Sequence, residues 1–509
     1  MPATLISGER TRTGDELDDR AQRVAGGLAA LGLAVGDVVT VLMRNDFPVL
    51  EVAFGAERAG MVVVPLNWHG QAEDVGFILR DSGARVLIAH ADLLARVRDV
   101  VPLGCCVVSV EVPLEIRAAY RLDDDAATIF PEDTGYEAWL AAAPPRREPP
   151  ATVPFRLLYT SGTSGKPKGV IRRLGTSEVA ERAAARARAA HGLDRTPIRA
   201  VMTGPLYHSA PNVYAMNCVR RGELLVLMPR FDASGLIDLI ERHRISHLHA
   251  VPTMFSRLLD LPERRRKDFD ASTLRAVVHG AAMCPPDVKQ AMIAWWGPVL
   301  LEYYAATELG IITASTSEEW LRHPGSVGRP PDGVEIAIMD DAGTRLGPGE
   351  VGEILISTDI SQAVSYHNRP DALAELQRGD WVTMGDVGYL DPDGFLWLCD
   401  RKKDMVISGG VNVFPAEVEG VLGQQPGVRD CVVFGVPDRD LGEVLVACVE
   451  PQPGASLDAA ALQGALLQRL GRLKVPRTIH FTAFLPREDS GKLARRKMKA
   501  DYLSRSPEA

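Results

Sequence analysis

The sequence predicts an α/β protein. A large N-terminal domain of two stacked α/β subdomains with a small β-rich piece precedes a small α+β C-terminal domain. Three observations predict it. Apolar strand-like runs alternate with amphipathic stretches from Val38 to Tyr304, the pattern of parallel sheets covered on both faces. From about Gly325 the chain changes to short strands broken by turns such as Pro330-Pro331-Asp332-Gly333 and Asp391-Pro392-Asp393-Gly394. A charged break, Asp400-Arg401-Lys402-Lys403-Asp404, then separates the last stretch, and 509 residues are too many for one hydrophobic core.

Composition excludes several classes. A hydrophobic share of 46% and a charged share of 24% are those of an ordinary globular protein. The net charge of -9 argues against a nucleic-acid partner, so positive charge for an anionic ligand must be local. No apolar run is long enough for an integral membrane span, and Met1-Pro2-Ala3-Thr4 lacks the basic and apolar regions of a signal peptide. Seven cysteines without a Cys-x-x-Cys predict reduced thiols in the cytoplasm, with Cys105-Cys106 as buried strand residues.

Taken in order, Thr13-Gly14-Asp15-Glu16 is a capping box ahead of Leu17, Ala21, Val24, Ala25 and Leu28 at helical spacing. Residues 38–43, 62–66 and 85–89 read as strands, and 47–59 and 72–79 as helices. Residues 110–150, acidic and then proline-rich, read as a surface excursion. Phe155-Arg156-Leu157-Leu158-Tyr159 reads as a short buried strand. The helix at 178–191 is Ala/Arg-rich, its charges forming a solvated face. Strands follow at 200–203, 224–228, 246–251, 274–279 and 299–304, with helices at 233–243 and 287–296. Beyond the charged break, strands at 431–434 and 445–449 precede a helix at 457–470 and a Lys/Arg-rich frayed tail.

The chemistry centres on Thr160-Ser161-Gly162-Thr163-Ser164-Gly165-Lys166-Pro167-Lys168-Gly169. Backbone N–H groups and hydroxyls around such a turn suit polyphosphate, and the lysines add charge. A flexible surface loop is the alternative for glycine and serine alone. Two lysines, a preceding strand and no acidic residue favour phosphate. Pro167 after Lys166 excludes a Walker A loop.

With Tyr159 ahead of it, this decapeptide resembles the signature loop of the adenylate-forming superfamily: acyl-CoA synthetases, luciferases and peptide-synthetase adenylation domains. Further motifs follow in family order over nearly the whole chain, although the N-terminus starts late by comparison. Tyr303-Tyr304-Ala305-Ala306-Thr307-Glu308 is similar to the Tyr-Gly-x-Thr-Glu motif, with Ala305 in place of its glycine. Gly280-Ala281-Ala282 resembles the small-residue turn beside adenine, and Trp381-Val382-Thr383-Met384-Gly385-Asp386 the Trp-x-x-Thr-Gly-Asp motif.

The resemblance implies an ATP-contacting set. It comprises Thr160, Ser161, Gly162, Thr163, Ser164, Gly165, Lys166 and Lys168 of the loop, then Gly280, Ala281, Ala282, Tyr303, Tyr304, Ala305, Thr307, Asp386 and Arg401. Within it Tyr304 stacks on adenine, Thr307 reaches the α-phosphate, Glu308 holds Mg²⁺, and Asp386 and Arg401 bind the ribose. The catalytic residues it implies are Lys492, Thr307, Glu308 and His208. Lys492 offsets the repulsion between an attacking carboxylate and the α-phosphate, which costs several kcal/mol in a poorly screened site. His208, Ala210, Ala305 and Gly310 line the acyl pocket, which with Ala215 reads as wide and short. His247, His249 and His279 lack metal-ligand spacing and are read as structural.

The domains implied are residues 1–400 for ATP and acid, a hinge at 401–403 centred on Lys403, and a mobile domain at 404–509 whose Ser408-Gly409-Gly410 lines a tunnel for coenzyme A. The small β-rich piece is barrel-like in that family. The expected function is ATP-dependent acid–CoA ligation through an acyl-adenylate, on a bulky cyclic or aryl acid or a medium- to long-chain fatty acid. Transfer to a carrier-protein thiol, an acyl-AMP ligase, a phosphotransferase and a non-catalytic nucleotide-binding protein are the alternatives. Relatives of this kind are often homodimers.

Overall fold

The computed structural model describes all residues except 126–127, 149–150, 161–166, 174–175, 362–363, 370, 375, 488–494 and 506–509. The expected capping box forms: the Thr13 side chain accepts from the Glu16 N–H while Glu16 reaches back to the Thr13 N–H, opening the helix Gly14–Ala30. Its buried stripe crosses the helix Phe47–Arg58, where a Cβ on Gly55 would lie 2.6 Å from Val24. Only glycine permits that approach.

Two sheets carry the α/β part. The first runs Val62–Pro65, Val38–Leu42, Val86–His90, Cys106–Val110, Thr134–Gly135, with every neighbour parallel. The second has eight strands, in the order Gly310–Thr316, Leu300–Ala306, Ala276–His279, His247–Ala250, Arg199–Met202, Leu224–Leu227, Thr4–Ser7, Arg10–Arg12. Its interior pairs are parallel and both edge pairs antiparallel. One continuous core joins the two units, with Leu17, Phe47 and Leu50 packed into the same cluster as Tyr214, Leu225 and Tyr303. The two stacked subdomains expected from the alternating pattern are therefore present.

A three-stranded antiparallel sheet, Val364–Tyr366, Lys168–Arg172, Arg156–Thr160, bridges toward the β-rich piece. That piece is a five-stranded antiparallel sheet built from Val334–Met339, Gly352–Thr358, Trp381–Leu390, Gln377–Arg378 and Leu396–Arg401. The last sheet pairs the long strands Val428–Asp438 and Gly442–Pro451, with the helices Pro415–Gly423 and Ala459–Leu470 against it. Among the described residues no helix is long and apolar enough to cross a membrane.

Several expectations are corrected. Residues 110–150 contain the helices Leu114–Tyr120 and Tyr136–Ala142, and buried Tyr136 donates to Glu51 at 2.9 Å. Sparse apolar anchors hold this stretch, and its acidic composition hid them. All seven cysteines are free, but Cys106 is exposed at the first position of its strand. Of the strand Arg156–Thr160 only Leu157 is buried, since the other side chains border a cavity or the surface. The charges on the helix Ser177–Ala190 are not all solvated: Arg186 is half-buried and holds Asp359 through both terminal nitrogens, at 3.1 and 2.6 Å. The basic tail forms the helix Arg495–Arg505, whose Met498 and Tyr502, four residues apart, pack near Phe434.

Candidate functional site

The strand Leu300–Ala306 organises the site because alternate side chains leave it on opposite faces. Tyr304 turns to one face, where its hydroxyl donates to Asp386. Burial and the Asp386 carboxylate together push the Tyr304 phenol well above its ordinary value. Asp386 lies opposite Arg401 in the antiparallel register, with the guanidinium 3.3 Å from its carboxylate. Two motifs eighty-two residues apart in the chain thus meet at one hydrogen bond. Just beyond the strand, Glu308 accepts from the Tyr366 hydroxyl at 2.8 Å, and the Lys168 ammonium lies 5.8 Å from the Tyr366 ring. Tyr366 stands in no motif, and sequence reasoning missed it.

Thr160 and Lys168 pair across the antiparallel strands that flank the glycine-rich loop. Ser161, Gly162, Thr163, Ser164, Gly165, Lys166 and the C-terminal Lys492 lie outside the described residues. Gly280-Ala281-Ala282 follows the strand Ala276–His279, and Ala281 holds φ at 68°. A methyl-bearing residue in that left-handed region costs about 1 kcal/mol, a strain common at ligand sites.

Tyr303 turns to the other face, away from the Tyr304–Asp386 cluster. Its ring passes beneath Gly280, where a Cβ would come within 2.8 Å, and its hydroxyl pairs with His249 at 2.9 Å. Tyr303, Ala305, Thr307, Ala281, His208 and Gly310 all border one cavity of about 820 Å³, at the upper end for a small-molecule site. His208 is the N-cap of the helix Ser209–Arg221, and Ala210 follows it along the cavity wall. Ala215 is fully buried in the core and does not border the cavity. The expected short pocket is also corrected. The cavity runs past Ala305 to Phe54 and Met61 of the first subdomain, so the Ala305 methyl narrows one wall without closing the end.

His191 and His249 border the same cavity, which the structural reading of His249 had not anticipated. Burial holds the imidazole of His191 down to about 4 and that of His249 to about 3, so both are neutral near pH 7. Neither ring nitrogen of His191 has a hydrogen-bond partner among the described residues. His247 bonds Ser246 and the Gly192 carbonyl, and His279 packs its ring near Phe255, as expected of structural residues.

At the start of the C-terminal part, Lys402 holds Asp341 at 2.9 Å and Glu353 at 3.0 Å, and Lys403 is exposed in the same short turn. Gly409 and Gly410, with φ of 56° and 79°, form a two-residue hairpin between Val406–Ser408 and Val411–Val413. Such a turn needs positive φ at both positions, hence two glycines. Asp400 accepts from the Ala416 N–H at 2.8 Å, and Arg495 reaches both Asp400 and Glu419.

Comparison with known proteins agrees with this arrangement. A family model for the AMP-binding enzyme matches residues 2–366, and one for the AMP-binding enzyme C-terminal domain matches residues 417–492. The chain is 33% identical to the fatty acid–[acyl-carrier-protein] ligase ScoC of Streptomyces coeruleorubidus, covering 98% of this chain and 93% of that one. It is 32% identical to a feruloyl-CoA synthase of an Amycolatopsis species, covering 96% and 93%. The crystal structure of the anthranilate CoA ligase AuaEII in complex with anthranoyl-AMP superposes with a TM-score of 0.86 at 25% identity, over 99% of this chain and 95% of that one. With both family models matched in order along its length, the chain belongs to the AMP-binding enzyme family, the adenylate-forming enzymes.

Proposed function

We propose that the protein is an AMP-forming acid–CoA ligase. A carboxylate attacks the α-phosphorus of ATP, forming a C–O–P bond and expelling pyrophosphate. The thiol of coenzyme A then attacks the acyl carbon, forming the thioester and releasing AMP. The observation that carries the reading is the convergence of Tyr304, Asp386, Arg401, Thr307 and Glu308 at the carboxyl end of one core strand, beside the acyl cavity. Ligands of open α/β sheets bind at that end.

Each residue has a role in this reading. Tyr304 offers its ring to adenine, while Asp386 and Arg401 take the ribose hydroxyls. Thr160, Lys168 and the loop between them hold the β- and γ-phosphates, with Thr307 at the α-phosphate. Glu308 suits Mg²⁺, which takes one or two carboxylates together with phosphate oxygens, and the ion would neutralise phosphate charge. His208 and Ala210 position the acid. Lys492 brings a compact cation on a flexible stem between the two reacting anions, stabilising the transition state most. Residues 404–509 turn about the 401–403 hinge, withdrawing Lys492 and presenting Ser408, Gly409 and Gly410 to the pantetheine arm. The enzyme acts in the cytoplasm, as a homodimer.

Transfer to a carrier-protein thiol is the second reading, favoured by the identity to ScoC. The test incubates the protein with MgATP and a panel of acids, alone, with coenzyme A, or with candidate carrier proteins. Acid-dependent AMP and pyrophosphate with a CoA thioester is the expected result. Thioester on a carrier alone selects the second reading, and ADP as product overturns both.

A further inference from the structure

Two arginines border the acyl cavity without a side-chain partner among the described residues. Arg156 and Arg172 are directly opposite each other in the antiparallel register of Arg156–Thr160 with Lys168–Arg172, so both guanidiniums leave the same face. Like charges set opposite each other across a sheet repel. Neither makes a hydrogen bond or ion pair with any described residue. The carboxylates whose charge favours them are Glu57 for Arg156, itself paired with Arg220, and Glu308 for Arg172, which also accepts from Tyr366. Arg156 is exposed and Arg172 half-buried, and both border the cavity. Desolvation by the surrounding chain, reinforced by the neighbouring Arg156 charge, pulls Arg172 down to about 10, and desolvation lowers Arg156 as well. Both remain cations near pH 7. A Cβ on Gly310 would lie 3.4 Å from an Arg172 terminal nitrogen, so this cation reaches the hairpin that carries Thr307 and Glu308.

Two like charges held opposite each other on one cavity wall are relieved by an anion placed between them. The adjacent cavity is large enough for a substrate, and two planar guanidinium forks suit a carboxylate, sulfonate or phosphate. We propose that the acid substrate carries a second anionic group, distant from the carboxylate that is activated, and that Arg156 and Arg172 bind it in the acyl cavity. This rests on the acid–CoA ligase reading and names its substrate class. Because the second group stays intact, the product is a thioester that still carries a negative charge.

The experiment uses the full-length protein and pairs of acids with one carbon skeleton, each pair a monocarboxylic acid and its α,ω-dicarboxylic counterpart, with linear and aryl skeletons. AMP release is read for each. In wild type the dicarboxylate should exceed its partner in kcat/KM by about tenfold or more, and Arg156→Met or Arg172→Met should each cut that ratio about tenfold, the scale of one charged hydrogen bond. Monocarboxylates preferred across the pairs, or a ratio unmoved by both substitutions, overturns the proposal while leaving the ligase reading intact. AMP release with none of the acids overturns both. Should either variant fail to fold, the wild-type ratio and the relative thermal stabilisation of wild type by the two members of each pair still decide the matter.

Discussion

The two halves of the site differ in how their charges are satisfied. On the nucleotide side, Tyr304 is bonded to Asp386, Asp386 faces Arg401, and Glu308 is held by Tyr366. Among the described residues, the polar groups of that half satisfy one another. On the acyl side, Arg156 and Arg172 have no partner among the described residues, and both ring nitrogens of His191 are unbonded. The difference teaches which half is generic and which is selective. A half that satisfies itself can serve ATP with any acid, whereas a half with open polar valences is complementary to one kind of molecule. Unpaired groups in the acyl cavity also disfavour a purely apolar acid, because that acid would leave them desolvated and unmatched.

Both halves hang on the strand Leu300–Ala306, and the comparison can be broken there. Lys289 and Glu302 form a buried pair beneath it, fully enclosed on the Lys289 side. Lys289→Met leaves the Glu302 carboxylate buried and uncompensated, and should cost about 3–5 kcal/mol in a denaturant titration. Lys289→Met combined with Glu302→Leu should recover most of it. A single substitution costing nothing would mean that the strand is anchored elsewhere.

Removing the Lys492 cation should spare the fold and slow adenylate formation by about 10²–10³-fold, the scale reported by loss of one transition-state donor. Thioester formation from a pre-formed adenylate should fall much less. Equal loss in both steps would contradict the separation of roles.

The neutral histidines behind the acyl cavity supply a pH signature. Burial lowers His191 to about 4 and His249 to about 3 from the ordinary 6.5. Below pH 6.5 the unfolded chain takes up protons that the folded sites refuse, so the unfolded state gains stability. The native state is therefore at full stability above pH 6.5 and weakens as pH falls toward 4, by about 3 kcal/mol per histidine at most. Urea midpoints measured from pH 7 to 4.5 read this directly. His191→Phe should flatten the slope, and a flat wild-type profile would show that these rings stay solvated.

The smallest effect is local. Ala281 sits at φ 68°, where glycine is unstrained, so Ala281→Gly should raise stability by about 1 kcal/mol. A loss would mean that the Ala281 methyl makes a needed contact at the cavity edge.

Legibility in the sequence follows the same division. The parallel strands were readable because both faces are buried, which leaves continuous runs such as 38–42 and 86–90. The nucleotide half was readable because each motif is contiguous, so Thr307-Glu308 and Gly385-Asp386 can be found without knowing what they touch. The acyl half has no such text. Arg156 lies in a run that reads as a short buried strand, Arg172 is part of no motif, and His191 ends a helix whose charges read as a solvated face. Only the register of two strands and the crossing of a helix bring them to one cavity. Tyr366 was hidden likewise, since a lone tyrosine on a three-residue strand carries no pattern.

The most direct test asks whether the two halves act separately. Acid-dependent exchange between pyrophosphate and ATP would be measured over one acid panel for wild type, Asp386→Asn and Arg156→Met. The account predicts that Asp386→Asn lowers exchange for every acid by a common factor and keeps their rank, while Arg156→Met reorders them, with dianionic acids losing most. Reordering by Asp386→Asn, or a uniform loss in Arg156→Met, would contradict it.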